Sequence, residues 1–354
     1  MLILGIETSC DETSASIVQD GRVVLSCVIA SSGKDFEKRG GVIPEDAARK
    51  QLESILPVID KCLQDATIDH TSIDAIAVTY GPGLLGSLLV GTTTARALSL
   101  VWGKPIIPVH HTLGHLSSTW LVNADDAERT TVQEEPQFPL LTLSVSGGHT
   151  DLWYRTSHTR GELIGHTIDD AAGEAFDKGA VLLGLPYPGG PALSALAETG
   201  DHRKYEFPHP LQHAPLSFSF SGLKTSLKYL QRKIETAHEW DDTVRRNVAA
   251  SYESAIVDHL MSRLEHALSA YPATKELHCV GGVSANRVLR ERCHDLGKKN
   301  AVTVRFPRTL RFCTDNAAMI ASAGYFLQTE SPTAVSSSFR TSGSLSLQSV
   351  TKEN

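Results

Sequence analysis

The sequence predicts an α/β protein whose two lobes repeat one supersecondary unit, and two observations carry that expectation. The first is a repeated run of strand, tight polar loop, strand and third strand. In one copy LILGIE is apolar, TSCDETS is polar, and ASIVQ and RVVLSCVIA are apolar again, with Asp20-Gly21 marking a hairpin between the last two. In the other, PLLTLSVSGGHTDLWYR gives strand, glycine turn and strand, and GELIGHTID supplies the third. The second observation is that strands alternate with helices after each copy, the pattern of an α/β chain. Two repeated lobes with facing loops would enclose a central cleft.

Each later element has its own signal. PEDAARKQLESILPVIDKCLQDA places Ala47, Leu52, Ile55, Leu56, Ile59 and Leu63 at helical spacing. DAIAVTYGPG reads as a buried strand entering a Gly-Pro-Gly turn. LLGSLLVGTTTARALSLVWG is a helix ended by Gly103, with Pro105 beyond, and PIIPVHH is another strand. In the second half, VRRNVAASYESAIVDHLMSRLEHAL is a long helix with Val248, Tyr252, Ile256, Leu260 and Leu264 in register. ELHCVGGVSANRVLRERCHDLG gives strand, Gly-Gly turn and helix. The expected organisation is an N-terminal lobe over 1–121, an acidic polar connection over 122–138, a second lobe over 139–326 and a flexible Ser/Thr-rich tail over 327–354. The last helix of the second lobe is free to pack back on the first.

The 354 residues, 41% hydrophobic and 21% charged, suit a globular chain with a sizeable core. A net charge of −7 excludes a wholly basic nucleic-acid binder and leaves any RNA contact to local patches. The candidates are GLKTSLKYLQRK (Lys224, Lys228, Arg232, Lys233), Arg245-Arg246 and RFPRTLR (Arg305, Arg308, Arg311). The six cysteines form no CxxC pair, which reads as reduced thiols in a cytosolic setting. Apolar runs break well before the ~18 residues of a membrane span, and no basic n-region or Arg-rich presequence precedes MLILGIE, so the expected location is cytoplasmic, away from membranes.

The stretch IPVHHTLGHLSS holds three histidines, of which His111 and His115 share one helix face. Two imidazoles so placed can hold a metal ion or can be plain buried polar groups. In CTDNAAMIAS, Asp315 is a candidate third ligand, and a helix N-cap is its plain alternative. Two histidines and one carboxylate suit Fe(II), Zn(II) or Mn(II) with positions left open for substrate. A zinc peptidase of the HExxH type needs a Glu after the first His, and Thr112, Leu113 and Gly114 supply none. Four small-residue loops, GIETSCDET, YGPGLLGSLLVG, VSGGHT and GGVSAN, can each approach an anion closely or can simply be tight turns.

GIETSCDETS, PVHHTLGH, VSGGHT, IDDAAGEAFDKGAVLLGLPYPGGP, SFSFSGLKT, GGVSANRVLR and CTDNAAMIAS occur in that order. Together they resemble the tRNA N6-adenosine threonylcarbamoyltransferases, once described as O-sialoglycoprotein endopeptidases. The resemblance runs over about residues 1–325. It implies the duplicated actin/hexokinase/Hsp70-type ATPase fold and a metal-dependent acyltransferase. The reaction it implies moves a threonylcarbamoyl group from threonylcarbamoyl-AMP to N6 of adenosine 37 in tRNAs that read codons beginning with A. By motif match, His111, His115 and Asp315 would hold one divalent metal, Fe(II) first and Zn(II) second. Ser144, Val145, Ser146, Gly147 and Gly148 would line the donor site, with Asp177, Gly190 and Asn286 around its adenosine. Asp11 and Glu12 are candidates for taking the amine proton. The implied partners are tRNA, a paralogous subunit of the same fold and a small ATPase in a bacterial complex, with a homodimer as the other arrangement. Gln51 stands where the family commonly has His. A small-molecule kinase of the same fold and a non-catalytic scaffold of a tRNA-modification complex are the competing readings. The first lacks a kinase signature, and scaffold relatives lack the histidine pair.

Overall fold

In a computed structural model, which describes residues 1–31, 43–127, 135–208, 214–330, 332 and 338–347, the chain gathers into two units. Unit 1 comprises residues 1–136, 156–161 and 307–354, and unit 2 comprises 137–155 and 162–306.

In unit 1, β1 (Leu2–Glu7), β2 (Glu12–Gln19) and β3 (Val23–Ser31) form an antiparallel meander. Strands β4 (Ala75–Gly81) and β5 (Ile106–His110) add to it in parallel, and β6 (Val122–Asn123) pairs with the far edge, giving the order β5-β4-β1-β2-β3-β6. Unit 2 repeats the scheme. Strands β7 (Leu140–Val145), β8 (Thr150–Arg155) and β9 (Gly161–His166) are followed by β10 (Glu276–Val280) and β11 (Thr303–Arg305), in the order β11-β10-β7-β8-β9. In each sheet the first strand pairs antiparallel with the second and parallel with the fourth. The expected duplication is therefore a repeated hydrogen-bonding scheme as well as a repeated sequence pattern.

Helices cover the unit 1 sheet through small-residue contacts. Helix α1 (Pro44–Ala66) buries Ile55, Val58, Ile59 and Cys62 against Leu4, Ile6, Ala15 and Ile17. Leu52 and Leu56, expected on that buried face, are 68% and 60% exposed. Buried Gln51 takes the inward position instead, because its amide is needed by the β1–β2 loop described below. Helix α2 (Leu85–Trp102) ends at Gly103, whose φ of +67° is the left-handed stop that glycine adopts freely. Helix α3 (His111–Ser117) continues directly from β5.

The second lobe was expected to reach residue 326 with its last helix free to pack back on the first; unit 2 closes at Phe306. The Ala-rich helix α10 (Ala317–Glu330) belongs to unit 1, where it packs on β1, β2 and β4. Gly5 makes this approach feasible, since a Cβ there would sit 2.1 Å from the Ala317 carbonyl oxygen. The described part of the expected flexible tail is also docked. The Ser342 amide donates to the Tyr80 carbonyl, Leu347 is buried, and Gly343 accepts from the Gly83 amide. Residues 331, 333–337 and 348–354 of that tail, and 128–134 of the expected connection, lie outside the described residues. The connection's start is not loop, since it forms β6 and the short helix α4 (Ala124–Ala127).

In unit 2 a separate core gathers around α8 (Asp242–Ala270). Val248, Tyr252, Ile256, Leu260 and Leu264 are all fully buried, as their register predicts. Helices α5 (Ala172–Leu182), α6 (Gly189–Ala197), α7 (Ser221–Thr236) and α9 (Arg287–Asn300) complete the unit. Among the described residues no helix is long and apolar enough to cross a membrane.

Candidate functional site

The three adjacent histidine positions divide by chemistry. His110 caps α3: its Nδ1 lies 3.2 Å from the Thr112 amide and accepts from it. An accepting Nδ1 leaves the proton on Nε2, which donates to the Leu345 carbonyl at 3.1 Å. His111 and His115, one turn apart on α3, stand edge to face with ring centroids 4.7 Å apart. Both Nε2 atoms face the Asp315 carboxylate, His111 at 3.6 Å and His115 at 3.1 Å. One ligand atom from each of the three residues lies within 4.8 Å of the others, the spacing of a shared cation.

Asp315 is available because its neighbour caps the helix. The Asn316 side-chain oxygen accepts from the Met319 amide at 3.1 Å, so the cap expected as the alternative role of Asp315 belongs to Asn316. Gly114 lets α10 approach α3: a Cβ there would lie 2.7 Å from Ile320 Cδ1. That approach brings residue 315 to residues 111 and 115.

Behind His111 stands Glu7, which sequence reasoning missed. Its Oε2 lies 3.1 Å from His111 Nδ1 and accepts from the Thr79 hydroxyl at 2.6 Å. The Ser9 hydroxyl also reaches His111 Nδ1, at 3.2 Å. A carboxylate only accepts, so it draws the proton to Nδ1 and leaves the Nε2 lone pair aimed at the cluster, the usual arrangement behind a metal-binding imidazole. Burial alone would depress His111, but Asp315 and then Glu7 outweigh it and push its pKa up to about 9. A pocket that negative holds a proton where it could hold a cation. His115 points the same way: both ring nitrogens are buried, Nδ1 has no hydrogen-bond partner, and Nε2 has the 3.1 Å approach to Asp315 without a well-aligned hydrogen bond. The cluster thus fits a divalent metal in ligand type, spacing and unmet bonding capacity. The signal for Glu7 was a lone acid closing an apolar strand.

The β1–β2 loop beside the cluster carries Asp11 and leads into Glu12, the first residue of β2. Gln51 fixes it by donating to the Cys10 and Glu12 carbonyls at 3.0 and 2.9 Å. Burial, then the Asp315 and Asp11 charges, push the Glu12 carboxyl up to about 9. Burial, then Asp11, also pushes the Cys10 thiol up, so it is no thiolate nucleophile. The Gly-Pro-Gly turn packs on the same loop: Leu84 donates to the Ser9 carbonyl at 2.8 Å, and a Cβ on Gly83 would meet that oxygen at 2.5 Å. Close packing is therefore its role.

In unit 2, residues 144–148 run from the end of β7 into an exposed turn at Gly147 and Gly148, where an added Cβ would meet nothing within 4 Å. The Ser146 amide donates to the His149 carbonyl at 2.9 Å, closing the turn. The N-terminus of α5 abuts it: Gly173 donates to the Ser146 carbonyl at 3.1 Å, and a Cβ on Gly173 would lie 2.5 Å from that oxygen. A glycine turn against a helix N-terminus presents amides and a positive dipole end to an anion. Asp177 on α5 accepts from the Gly189 amide at 2.9 Å and so ties α5 to α6 beside Gly190. Burial raises the Asp177 pKa, opposed by the Gly189 and Gly190 amides. The Asn286 side-chain oxygen caps α9 by accepting from Leu289 at 2.9 Å. Its amide donates to Ser194 at 3.1 Å and to buried Glu253 at 2.6 Å. Gly281, with φ of +87°, brings this loop against Val145. The unit 2 candidates are therefore linked through α5, α6 and the 281–286 turn. Ser194 and Glu253, which hold Asn286, carried no local sequence signal.

Known proteins resemble this chain in sequence and in fold. The family model described as tRNA N6-adenosine threonylcarbamoyltransferase matches residues 23–322. Proteins of that name from Symbiobacterium thermophilum and Thermomicrobium roseum are 47% and 46% identical over 327 and 344 residues. The first alignment covers 92% of this chain and 91% of the relative, the second 92% of each. Among solved structures, T. kodakarensis HypF superposes with a TM-score of 0.59 at 14% identity, over 94% of this chain and 49% of that one. Full-length HypF in its phosphate- and nucleotide-bound form gives 0.56 at 13% identity, over 95% and 47%. These two likenesses bear on the fold alone, the duplicated α/β architecture of the ATPase type. On the family match and its relatives, the chain belongs to the tRNA N6-adenosine threonylcarbamoyltransferase family.

Proposed function

We propose that this protein transfers the threonylcarbamoyl group from threonylcarbamoyl-AMP to N6 of adenosine 37 in tRNAs reading codons that begin with A. The observation that carries the reading is the His111, His115 and Asp315 cluster backed by Glu7, within a chain of this family. The family match does not favour the kinase and scaffold readings.

The exocyclic amine of adenine is a poor nucleophile because the ring withdraws its lone pair, so the donor must be strongly activated. The adenylate supplies AMP as leaving group. A divalent ion held by His111, His115 and Asp315, Fe(II) before Zn(II), would supply Lewis-acid polarisation and orientation. Residues 144–148 would bind the donor through backbone amides, with the α5 N-terminus favouring its phosphate. Asp177, Gly190 and Asn286 would hold the adenosine of the donor, with Asn286 fixed by Ser194 and Glu253 through its amide and left with an Oδ1 lone pair to offer. Asp11, in the loop beside the metal cluster, is the group that would receive the amine proton, whereas Glu12, raised to about 9, already carries a proton near neutral pH.

A subunit of the same fold, or a second copy, is the proposed partner alongside a small ATPase. Supporting it, α1 and α2 leave Leu52, Leu56, Leu85 and Leu89 between 45% and 68% exposed. Two helices in contact showing four leucines to water form a surface suited to a partner. The proposed location is the cytoplasm, where the tRNA substrate is found and where six free thiols stay reduced. The test is incubation of the purified protein and its partners with threonylcarbamoyl-AMP and unmodified tRNA, with nucleoside mass spectrometry as readout. Modified adenosine is expected, and the His111→Ala/His115→Ala variant is expected to lose bound metal and product together. Full transfer by a metal-free double variant would refute the role given to the cluster.

A further inference from the structure

Three basic stretches stand out in an otherwise acidic chain, and the structure separates them. Arg245 is spent on the Leu183 carbonyl at 2.8 Å, and Arg305 is held in an ion pair with buried Glu276 at 2.6 Å. Helix α7 differs. Its apolar residues Leu223, Leu227 and Ile234 enter the unit 2 core, and the opposite face walls a groove of about 380 Å³. Ser221, Lys224, Thr225, Lys228, Tyr229 and Arg232 line that groove from α7.

Lys224, Lys228 and Arg232 recur every four residues, about 6 Å apart along the axis. Like charges at that spacing repel and destabilise a helix. Among the described residues no acid forms an ion pair with any of the three. The acids nearby are already used, since Lys178 on α5 pairs with Asp170 at 2.8 Å and with Glu174 at 2.7 Å. The start of α7 is held firmly: Asp169 accepts from the Phe220 amide at 2.8 Å, the Ser221 amide at 3.2 Å and the hydroxyls of Ser219 and Ser221. Burial would raise Asp169, but these hydrogen bonds lower it, so it stays charged. Beside the cations, Tyr229 is 67% exposed, an aromatic face with no packing role to account for it.

A fixed row of unpaired cations spaced along a groove, with an exposed ring among them, suits a polyanion carrying flat bases. We infer that the α7 groove is the docking surface for the tRNA backbone, with Lys224, Lys228 and Arg232 on phosphates and Tyr229 against an unpaired base. This rests on the tRNA substrate proposed above and names where on the chain that substrate is held.

The test uses the full chain and an unmodified tRNA transcript with adenosine at position 37. The Lys224→Gln/Lys228→Gln/Arg232→Gln variant is compared with wild type and with a charge-matched control, Lys61→Gln/Lys298→Gln/Lys299→Gln, on exposed positions elsewhere. The α7 variant is expected to bind tRNA at least tenfold more weakly at low salt. Its slope of log affinity against log salt should be shallower by about two to three, as the loss of three phosphate contacts requires. The KM for threonylcarbamoyl-AMP and the kcat at saturating tRNA should stay at wild-type values, and the melting temperature should not fall. Lys224→Arg/Lys228→Arg should keep the wild-type slope, and Tyr229→Ala should weaken binding without changing it. Equal slopes and affinities for the α7 variant and the control would overturn the inference. Loss of a protein subunit with tRNA binding intact would overturn it too. A wild type that modifies tRNA while the α7 variant binds it normally sinks this inference alone, whereas a wild type that neither binds nor modifies tRNA sinks the proposed function as well.

Discussion

At the scale of single residues, the cluster depends on a division of labour between neighbours that look interchangeable. Asp315 and Asn316 are both good helix caps by type, yet only Asn316 caps α10. Asn316→Ala should therefore cost about 1 kcal/mol of stability in chemical denaturation. Asp315→Ala should leave stability nearly unchanged and abolish metal binding, measured by chelator competition. The reverse pattern would show that the roles are exchanged. The spacing of His111 and His115 made that pair legible, since four residues is one helical turn. Asp315 was legible as a candidate ligand with a helix cap as its alternative, and only the family resemblance tied it to the pair, because no local pattern links residues 200 positions apart. Glu7 was not legible, because an acid ending an apolar strand has no spacing to the histidines until β1 and α3 are folded together. Its role predicts that Glu7→Gln, which keeps the shape and removes the carboxylate facing His111 Nδ1, weakens metal affinity by roughly 10- to 100-fold. An affinity equal to wild type would count against it.

Elements are positioned by side chains that are missing as much as by those present. Helical periodicity gave α1, α2 and α8 from sequence, because a 3.6-residue repeat is a local property. It gave the inward face of α1 only in part: Ala47, Ile55 and Ile59 are buried, but Leu52 and Leu56 face solvent and Gln51 faces the β1–β2 loop. An apolar stripe shows that a face will be covered, and not by what: the sheet and a partner subunit draw on the same residue types. Glycines were similarly ambiguous in sequence. Structure separates Gly83, a packing glycine, from Gly147 and Gly148, which face open space, and from Gly173, which lets α5 touch the 144–148 turn. Gly173→Ala would put a methyl 2.5 Å from the Ser146 carbonyl and force the helix N-terminus away from the turn. The KM for threonylcarbamoyl-AMP should rise by about tenfold or more, the scale of a lost charge-assisted contact, with metal content unchanged. A Gly147→Ala variant, with room for its methyl, is the comparison, and an equal rise in both would remove Gly173 from its positioning role.

For the whole molecule, duplication was the feature most visible in sequence, because each repeated strand unit is contiguous in the chain. The limits of the two units were less visible, because α10 and residues 338–347 return to unit 1 through contacts that only the fold creates. Global stability adds a reading that sequence withholds entirely: its pH dependence. His278 in β10 is buried, with Nε2 2.8 Å from Glu276 Oε2, and Glu276 also binds Arg305. Burial dominates, and Arg155 and Arg305 add to it against the pull of Glu276, so the His278 pKa falls to about 4 in the folded protein. The unfolded chain takes up that proton near pH 6.5. Between pH 6.5 and 4 the unfolded state binds more protons, so this residue favours unfolding as pH drops, by about 2 kcal/mol at pH 5. Asp151 acts in the opposite sense. Burial pushes it up to about 6, so the folded state binds more protons between pH 6 and 4 and gains stability there. Glu276, held below its ordinary value despite burial by bonds to His278 and Arg305, loses its contribution only at still lower pH. The difference between wild type and a single-site variant isolates the His278 contribution from these others. His278→Gln retains a donor for Glu276 and cannot titrate, so its unfolding free energy should fall less between pH 7 and pH 5 than that of the wild type, by about 2 kcal/mol. Parallel stability curves for the two proteins over that range would mean that His278 is protonated as readily in the fold as in the open chain.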